Sequence, residues 1–400
     1  MSAATKPWTL PSSKSFEVRS VPDAGRAVFA KRNLGAGAPL LSTSVNDSPL
    51  SYIILRPYRK EVCTQCLTYD RGREWKIRCS EAGVVFCSEE CKCVWLEEHD
   101  GPCLAAYKAV QERVKRMQTK NTNDSDAELE KKHVAMLANF DQNQERMHQT
   151  ATWRRTSGRA DVLRIIRQAG KLNKAYKATL RATLELKPDP DILLYLLSGI
   201  VTAYKAQQGV PDAPDGPARK LHMESEALLP QLCTLEYDME AFFPKPLQLS
   251  TLNDYQLGYL LLLAVLPAEL LWVCEESLVI NLGGRASHNA FSIRPEGTTD
   301  GEESGEFLGW GVWPEASFFN HSCLPNVKKE RRGRIWHFST VRSADKDEQL
   351  CITYLGGDEK TLNVHDRRKR LKEQWGFWCA CQRCTTEAGK TEQQAKTNEG

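Results

Sequence analysis

The stretch SFFNHSCLPNV occupies residues 317–327 and places an Asn-His-Ser-Cys tetrapeptide at the end of an apolar segment. An amide and an imidazole here offer hydrogen-bond donors and acceptors at the tip of a chain segment that is apolar enough to be buried. Alone, the tetrapeptide would also fit a solvated turn. It gains weight because ITYL follows at 352–355 and WCACQRC at 378–384. The three stretches in this order carry more information than the tetrapeptide alone.

Most cysteines of the chain lie in two clusters. The chain has 14 cysteines, and seven of them lie between Cys63 and Cys103. Three more form the run Cys379-x-Cys381-x2-Cys384. Thiols inside cells stay reduced, so tight clusters there indicate metal sites rather than disulfides. A loop of unligated thiols is the alternative for the C-terminal run.

The first cluster contains two cysteine pairs with the spacing of a zinc site. Cys63-x2-Cys66 places two thiolates on one tight turn, as tetrahedral zinc requires. Cys87-x3-Cys91 fits the first turn of a helix, where residues i and i+4 share a face. The two pairs complete one site of four thiolates, and scattered core cysteines are the alternative.

The composition excludes several classes of protein. The 400 residues carry 54 basic and 51 acidic side chains, a net charge of +3, so direct nucleic-acid binding is not expected. The longest clean apolar run, Tyr259 to Leu266, ends at Pro267 and is too short for a membrane helix of ~20 residues. The N-terminal residues lack the apolar segment of a signal peptide. We therefore expect an intracellular protein, in the nucleus and/or the cytoplasm, with no membrane partner.

Apolar and polar patterning divides the chain into strand and helix regions. Strand patterns occupy three segments: 16–55, 335–341 and 349–355. Helical periodicity dominates 104–280. A basic segment at 361–375 predicts a helix that ends at Gly376. The polar tail after Thr385 is expected to be disordered.

Two parts of the chain resemble a known family. Asn320-His321-Ser322-Cys323, Ile352-Thr353-Tyr354 and the C-terminal cysteine run resemble, in order and spacing, the signature of SET-domain methyltransferases. The block at 63–103, with its CxxC, FCSxxC and HxxxC elements, resembles the MYND zinc finger. A MYND finger inserted into a SET domain is typical of the SET-and-MYND family. The resemblance covers about residues 17–103 and 281–386.

The resemblance implies an α+β chain. Its expected architecture is a β-rich SET fold of small sheets with a pseudoknot, an inserted zinc finger and a helical insertion. The implied parts, in chain order, are 17–55 (N-terminal part of the SET domain), 63–103 (MYND-type finger), 104–280 (helical insertion), 281–356 (SET core), 357–386 (post-SET helix and zinc cluster) and 387–400 (disordered tail).

The resemblance also implies S-adenosylmethionine as the cofactor. In SET enzymes the Asn-His segment threads under another loop as a pseudoknot and contacts this cofactor, and Tyr354 matches the catalytic tyrosine. The implied cofactor-binding residues are Gly25, Arg26, Ala27, Asn289, Asn320, His321, Tyr354 and Phe377. The first of these segments is usually Gly-x-Gly, so Ala27 departs from the pattern. Its Cβ narrows the pocket, or is harmless if the backbone φ is negative.

Two or three structural zinc ions follow from the same resemblance. Cys63, Cys66, Cys87 and Cys91 match one finger site. Cys323, Cys379, Cys381 and Cys384 match the post-SET site, where Cys323 supplies the fourth ligand that tetrahedral zinc requires. Cys79, His99 and Cys103 match three ligands of a second finger site. Its fourth ligand would stand at position 82, where this chain has Ala82, so the occupancy of that site is open.

The implied function is that of a protein-lysine N-methyltransferase. It would move a methyl group from S-adenosylmethionine to a lysine of a histone or non-histone protein, and the finger would bind a peptide partner. The alternative is a catalytically weak or inactive SET/MYND interaction protein that acts as a transcriptional co-regulator. Ala27 and Ala82 favour the alternative, whereas the intact Asn320, His321 and Tyr354 favour the enzyme.

Overall fold

Small antiparallel sheets and packed helices build the structure, a computed structural model, and this confirms the predicted α+β class. The structure describes residues 10–22, 25–43, 49–119, 142–207, 232, 235, 247–297 and 306–398. The strands are β1 (Phe16–Val21), β2 (Gly25–Ala30), β3 (Pro39–Ser42), β4 (Ser51–Ile54), β5 (Ile77–Cys79), β6 (Val84–Phe86), β7 (Ala290–Ile293), β8 (Gly309–Val312), β9 (Val327–Arg332), β10 (Ile335–Thr340) and β11 (Gln349–Leu350).

Each of the three larger sheets joins strands from both ends of the chain. The strand orders are β1-β2-β11, β3-β10-β9 and β4-β8-β7. In each of these three sheets one part precedes the cysteine-rich block and the other follows the helical stretch. The fourth sheet, β5-β6, lies inside the cysteine-rich block itself. The block and the helices are therefore inserted between two halves of one β-rich unit.

The helices occupy the middle and the C-terminal end of the described chain. They are α1 (Glu89–Glu98), α2 (Gly101–Thr119), α3 (Gln142–Gln168), α4 (Lys174–Leu184), α5 (Pro190–Gln207), α6 (Leu247–Val265), α7 (Glu276–Asn289), α8 (Val364–Trp375) and α9 (Gln382–Asn398). None of the helices in the described part of the chain combines the length and apolar character needed to cross a membrane. The predicted loop at 209–218 lies outside the described residues.

Strand β4 connects the helices to the sheets. The Ser51 hydroxyl donates to the backbone oxygen of Tyr195 in α5, 2.7 Å away. The Tyr195 hydroxyl donates to the backbone oxygen of Leu282 in α7, 3.2 Å away. On the other side, β4 and β8 approach so closely that a Cβ added at Gly309 would lie 2.0 Å from the Ile53 oxygen. Glycine is therefore required at this position of β8.

The strand predicted at 349–355 is only partly correct. β11 ends at Leu350, and Ile352 instead forms an isolated parallel bridge with His321. The Ile352 N–H donates to the Asn320 oxygen at 3.0 Å, and the Ser322 N–H donates to the Ile352 oxygen at 2.9 Å. β-Branched side chains favour an extended backbone, but they do not show which partner satisfies its hydrogen bonds. This crossing has the arrangement that the pseudoknot resemblance implies.

The polar tail at 387–400, expected to be disordered, is helical as far as Asn398, where α9 ends. Glu387 in α9 accepts from the Arg383 Nε at 2.7 Å and from the Arg367 Nη2 at 2.5 Å. These contacts anchor a helix whose composition alone predicts a solvated tail. The predicted helix that ends at Gly376 is confirmed: α8 is capped by Asn363, and Gly376 has a left-handed φ of 79°.

Candidate active site and zinc centres

Tyr354 lies among three ring side chains with its hydroxyl held by the backbone. The hydroxyl donates to the Phe319 oxygen at 2.9 Å. The ring centroids of His321, Trp375 and Phe377 lie 5.4, 5.5 and 6.3 Å from that of Tyr354. The structure thus gathers a tyrosine hydroxyl and a half-buried aromatic surface from three separate segments.

His321 connects this tyrosine to the C-terminal cysteines. Its Nδ1 lies 3.0 Å from the backbone nitrogen of Tyr354, which can only donate, so Nδ1 is the acceptor. Nε2 then carries the proton and faces the Cys323 sulfur at 3.2 Å. Burial lowers the pKa of His321 to about 4, so the ring is neutral near pH 7. One imidazole therefore bonds to the Tyr354 backbone and to a predicted zinc ligand.

The glycine-containing segment predicted to approach the cofactor forms the start of β2. Gly25 has a φ of 69°, in the left-handed region that favours glycine. The Arg26 guanidinium lies over the Phe318 ring, 5.3 Å from its centroid, and so reaches the 317–327 segment. Ala27 is fully buried in the extended strand and is not among the described non-glycine residues with positive φ. The departure from Gly-x-Gly at Ala27 therefore requires no strained backbone.

Asn289 and Asn320 reach the same region through the backbone. Asn289 is buried at the end of α7, and its side-chain amide donates to the Arg285 oxygen at 2.9 Å. Its backbone oxygen accepts from the Ser317 hydroxyl at 3.2 Å. Asn320 is half-buried, and its backbone oxygen accepts from Ile352. The segment that starts at Ser317 thus contacts β2, the end of α7 and the chain before Tyr354.

The post-SET cysteines form a compact four-sulfur group. The Sγ atoms of Cys323, Cys379, Cys381 and Cys384 all lie within 4.8 Å of one another. Cys323 is 3.4 Å from Cys384 and 3.9 Å from Cys379, sulfur to sulfur. Four sulfurs bonded tetrahedrally to zinc at ~2.3 Å lie ~3.8 Å apart. The group fits one zinc ion with four protein ligands, and such a closed site is structural.

The finger contains a second four-sulfur group of the same kind. The Sγ atoms of Cys63, Cys66, Cys87 and Cys91 lie within 4.8 Å of one another, with Cys66 at 3.5 Å from Cys87. Hydrogen bonding from Cys63 lowers the pKa of Cys66 to about 4, whereas the same hydrogen bond and burial raise the pKa of Cys63. This group also fits one structural zinc ion.

The local structure around Cys87 differs from the prediction that both members of its pair lie in one helical turn. Ser88 caps α1, and its hydroxyl accepts from the Cys91 N–H at 3.2 Å. Cys87 therefore precedes the cap, and only Cys91 lies in the first turn. The capping bond brings the two sulfurs within 3.6 Å of each other.

The other predicted finger ligands are not brought together. Cys79 ends β5, His99 follows α1 and Cys103 lies in the first turn of α2. The two four-cysteine groups are the ligand clusters found among the described residues, and neither includes these three side chains. Ala82, at the position of the fourth ligand, is buried.

Arg367 is a functional candidate that the sequence analysis missed. Its side chain is completely buried, and its Nη2 lies 3.7 Å from the Cys384 sulfur and 2.5 Å from the Glu387 carboxylate. Its Nη1 donates to the Leu362 oxygen at 2.6 Å. Burial opposes the charge, but Glu387 and Cys384 raise the pKa of Arg367 above its ordinary value. A buried cation beside four thiolates offsets the negative charge of a zinc–tetrathiolate site.

Replacing Arg367 with Met is expected to lower the free energy of unfolding by about 2–3 kcal/mol, because charge-assisted hydrogen bonds are lost. Partners of this kind also stabilise the metal, so zinc affinity is expected to fall by ~10–100-fold. Urea unfolding and competition with a zinc chelator measure the two effects. Lys369→Met, on the exposed side of the same helix, is the matched control. Unchanged zinc affinity in Arg367→Met would contradict a role at the cluster.

Trp375 is the second residue that the sequence analysis missed. It is the last residue of α8, and its ring lies 5.5 Å from that of Tyr354. Its position two residues before Phe377, in the segment WGFWCAC, is a sequence signal that could have identified it.

Comparison with known proteins agrees with this site. The family model of the SET domain matches residues 25–355, which is most of the chain and ends directly after Tyr354. The chain belongs to the SET-domain family. The matched span of this SET domain includes the finger and the helical stretch, in agreement with sheets that join both ends of the chain.

Among curated relatives, the SET-domain chain is similar to proteins named as lysine methyltransferases. It is 27% identical to the potential protein lysine methyltransferase SET6 of Saccharomyces cerevisiae, over 93% of this chain and 95% of that protein. It is 33% identical to protein-lysine N-trimethyltransferase SMYD5 of Gallus gallus over 22% of each chain. It is 30% identical to N-lysine methyltransferase SMYD2 of Homo sapiens over 28% of this chain and 23% of that one. The predicted class, a protein-lysine methyltransferase that uses S-adenosylmethionine, is confirmed.

Proposed function

We propose that this SET domain methylates a lysine of a histone or non-histone protein, with Tyr354 at the reacting centre. The observation that carries the proposal is the Tyr354 hydroxyl, which is held by the Phe319 oxygen beside the rings of His321, Trp375 and Phe377. The aromatic surface offers a place for an alkyl chain or an adenine ring, and the hydroxyl offers one polar contact.

The residues present fit S-adenosylmethionine as the methyl donor. Phe377 and His321 are half-buried rings with centroids 6.2 Å apart, and they provide apolar faces of the kind that hold an adenine. Arg26 reaches the 317–327 segment through the Phe318 ring, and the Asn289 backbone oxygen reaches it through the Ser317 hydroxyl. When bound, this cofactor supplies an electrophilic methyl group on a positively charged sulfur.

The protein must deliver a lysine as a neutral amine. A lysine ammonium has a pKa of ~10.4 and no lone pair, so it cannot attack a methyl group. An aromatic, poorly hydrated surround and a nearby positive charge both lower the pKa of a lysine. The residues around Tyr354 would hold that neutral amine, and the bound cofactor would supply the methyl group that the amine accepts. Aligned reactants can lower the barrier by ~7–11 kcal/mol.

Tyr354 has an orienting role in this scheme. Its hydroxyl donates to the Phe319 oxygen, and a hydroxyl oxygen can also accept a hydrogen bond from an amine. The backbone bond to His321 fixes the position of the residue from the other side. Both contacts hold the hydroxyl in one place before the substrate arrives.

The purified chain is expected to bind S-adenosylmethionine and to transfer label from it to lysine residues. Calorimetry measures the binding, and mass spectrometry of lysate proteins incubated with isotopically labelled cofactor identifies methylated lysines. The same lysate without the chain is the control. A folded, zinc-loaded chain that binds the cofactor and labels no lysine would contradict the proposal and favour the interaction protein.

The departure at Ala27 gives that alternative little support. Ala27 lies in β2 without positive φ, so the strand accommodates its Cβ without backbone strain. Asn320, His321 and Tyr354 are connected to one another through the crossing at Ile352. These contacts favour the enzyme over the inactive interaction protein.

We also propose the remaining partners and the location of the protein. The reduced four-cysteine groups favour an intracellular protein, in the nucleus and/or the cytoplasm. Arg331 and Arg334, in the basic run at 328–334, contact the Arg294 oxygen and the Tyr52 ring, so part of that run is engaged within the chain. This is in line with a protein substrate rather than a nucleic acid. A peptide partner of the finger stays a prediction.

A further inference from the structure

We propose that the finger of this chain holds one zinc ion, and that an aromatic core and contacts with α2 replace the second. The finger family leads one to expect two interleaved sites. In this chain one set of four thiolates is assembled and fits zinc, whereas Cys79, His99 and Cys103 do not form such a group among the described residues.

His99 is packed as an aromatic residue. Its ring lies parallel to the Trp95 indole, with centroids 4.3 Å apart and an interplanar angle of 11°. Its Nδ1 lies 2.9 Å from the Trp95 oxygen, to which it donates. The Tyr107 ring contacts it edge-on, with centroids 5.5 Å apart. One face, one edge and one nitrogen of the imidazole therefore have partners within the protein.

This core continues into the finger. Trp95 is completely buried and packs against Phe86, with ring centroids 5.8 Å apart, and against Tyr107 at 5.3 Å. Tyr107 belongs to α2 and lies outside the finger block at 63–103. Stacked and edge-to-face aromatic pairs add about 0.5–1.5 kcal/mol each beyond the burial of their surface. The packing joins the second half of the finger to the helix that follows it.

The loop where the fourth ligand would stand is held by α2 side chains. The Lys115 ammonium donates to the Ser80 oxygen at 3.0 Å, and the Lys108 ammonium pairs with the Glu81 carboxylate at 2.5 Å. Gly83 packs directly against Gln111, because a Cβ added there would lie 2.2 Å from that side chain. Ala82, between these contacts, is 3% exposed and offers no ligand atom. A metal is therefore not needed to fix this turn.

The end of α1 in the finger also contacts the chain between β9 and β10. The Glu98 carboxylate at the end of α1 lies 3.6 Å from the Arg334 guanidinium and 3.2 Å from the Gln65 amide. Arg334 in turn covers the Tyr52 ring of β4. Glu98, the residue before His99, is thus held in place by these contacts, so a second zinc ion is not needed to position it.

Native mass spectrometry of the full chain, purified with zinc, is expected to show two zinc ions. Cys66→Ser is expected to reduce the count to one, whereas Cys79→Ser and Cys103→Ala are expected to keep two. A wild-type chain with three ions, of which Cys79→Ser loses one, would overturn the proposal. The measurement needs no methyl transfer, so its outcome is independent of the proposed enzymatic function.

The role of His99 is tested by two substitutions. His99→Phe preserves a ring that can stack on Trp95, and it is expected to keep two zinc ions and a folded finger. His99→Ala removes the ring and is expected to lower the melting temperature while the zinc count stays at two. If His99 binds a metal, Phe and Ala are equally unable to replace it. Loss of one zinc ion in both variants would therefore overturn the proposal.

Discussion

Replacing Tyr354 with Phe is expected to reduce methyl transfer by roughly 10²-fold or more, because the reacting groups lose the hydroxyl that aligns them. Binding of S-adenosylmethionine is expected to change little, since the ring and its contacts with His321 and Phe377 remain. Single-turnover transfer of labelled methyl groups and calorimetric binding of the cofactor measure the two quantities separately.

Tyr52→Phe is the matched control for this substitution. Its hydroxyl also donates to a backbone oxygen, that of Thr64 at 2.8 Å, but it lies at the junction of β4 with the finger. The control removes the same atom and the same kind of hydrogen bond. Equal turnover in Tyr354→Phe and the wild type would remove Tyr354 from the reacting centre, whereas equal losses in both variants would indicate general destabilisation.

Replacing Cys384 with Ser is expected to release the post-SET zinc ion and to weaken cofactor binding by at least ~10-fold. Structural zinc contributes ~10–16 kcal/mol of apparent binding free energy in small zinc domains, and a zinc ion bound here would hold the segment after α8. Phe377 and Trp375, which contact Tyr354, directly precede the cysteine run. The segment loses its anchor when one of the four ligands is removed.

Cys66→Ser provides the comparison, since it removes one ligand from the other four-sulfur group. Both variants are expected to lose one zinc ion, as metal analysis will show, but only Cys384→Ser is expected to lose cofactor affinity in calorimetry. Equal affinity for S-adenosylmethionine in Cys384→Ser and the wild type, with one zinc ion missing, would show that the post-SET cluster does not support the cofactor site.

Short-range spacing made the cysteine groups predictable. All four ligands of the finger group and three ligands of the post-SET group lie within 30 residues of one another. The spacing of Cys63-x2-Cys66 limits how far these two thiolates can separate. Cys323 came only through resemblance, because 56 residues separate it from Cys379. The SET and MYND signatures were also recognisable from motifs alone, and the first of them agrees with the matched family.

Local sequence did not predict the burial of a charged side chain whose partner lies on another helix. Arg367 begins a basic run that predicts a solvated helix face, yet it is completely buried beside Cys384. Its burial depends on Glu387, which lies in a segment predicted to be disordered. A run of charged residues indicates a solvated helix face on average. One residue of such a run can still be buried when a side chain of another helix pairs with its charge.

The sequence by itself indicated the family, the four-cysteine group of the finger and three of the four post-SET cysteines, because each depends on residue types at fixed short spacings. Only the tertiary structure decided that Ile352 crosses His321, that Trp375 lies beside Tyr354, and that His99 stacks on Trp95. Those contacts join segments that are distant along the chain or compete with metal binding for the same side chain. Their outcome depends on how helices and sheets pack around the inserted segments, which no local pattern specifies.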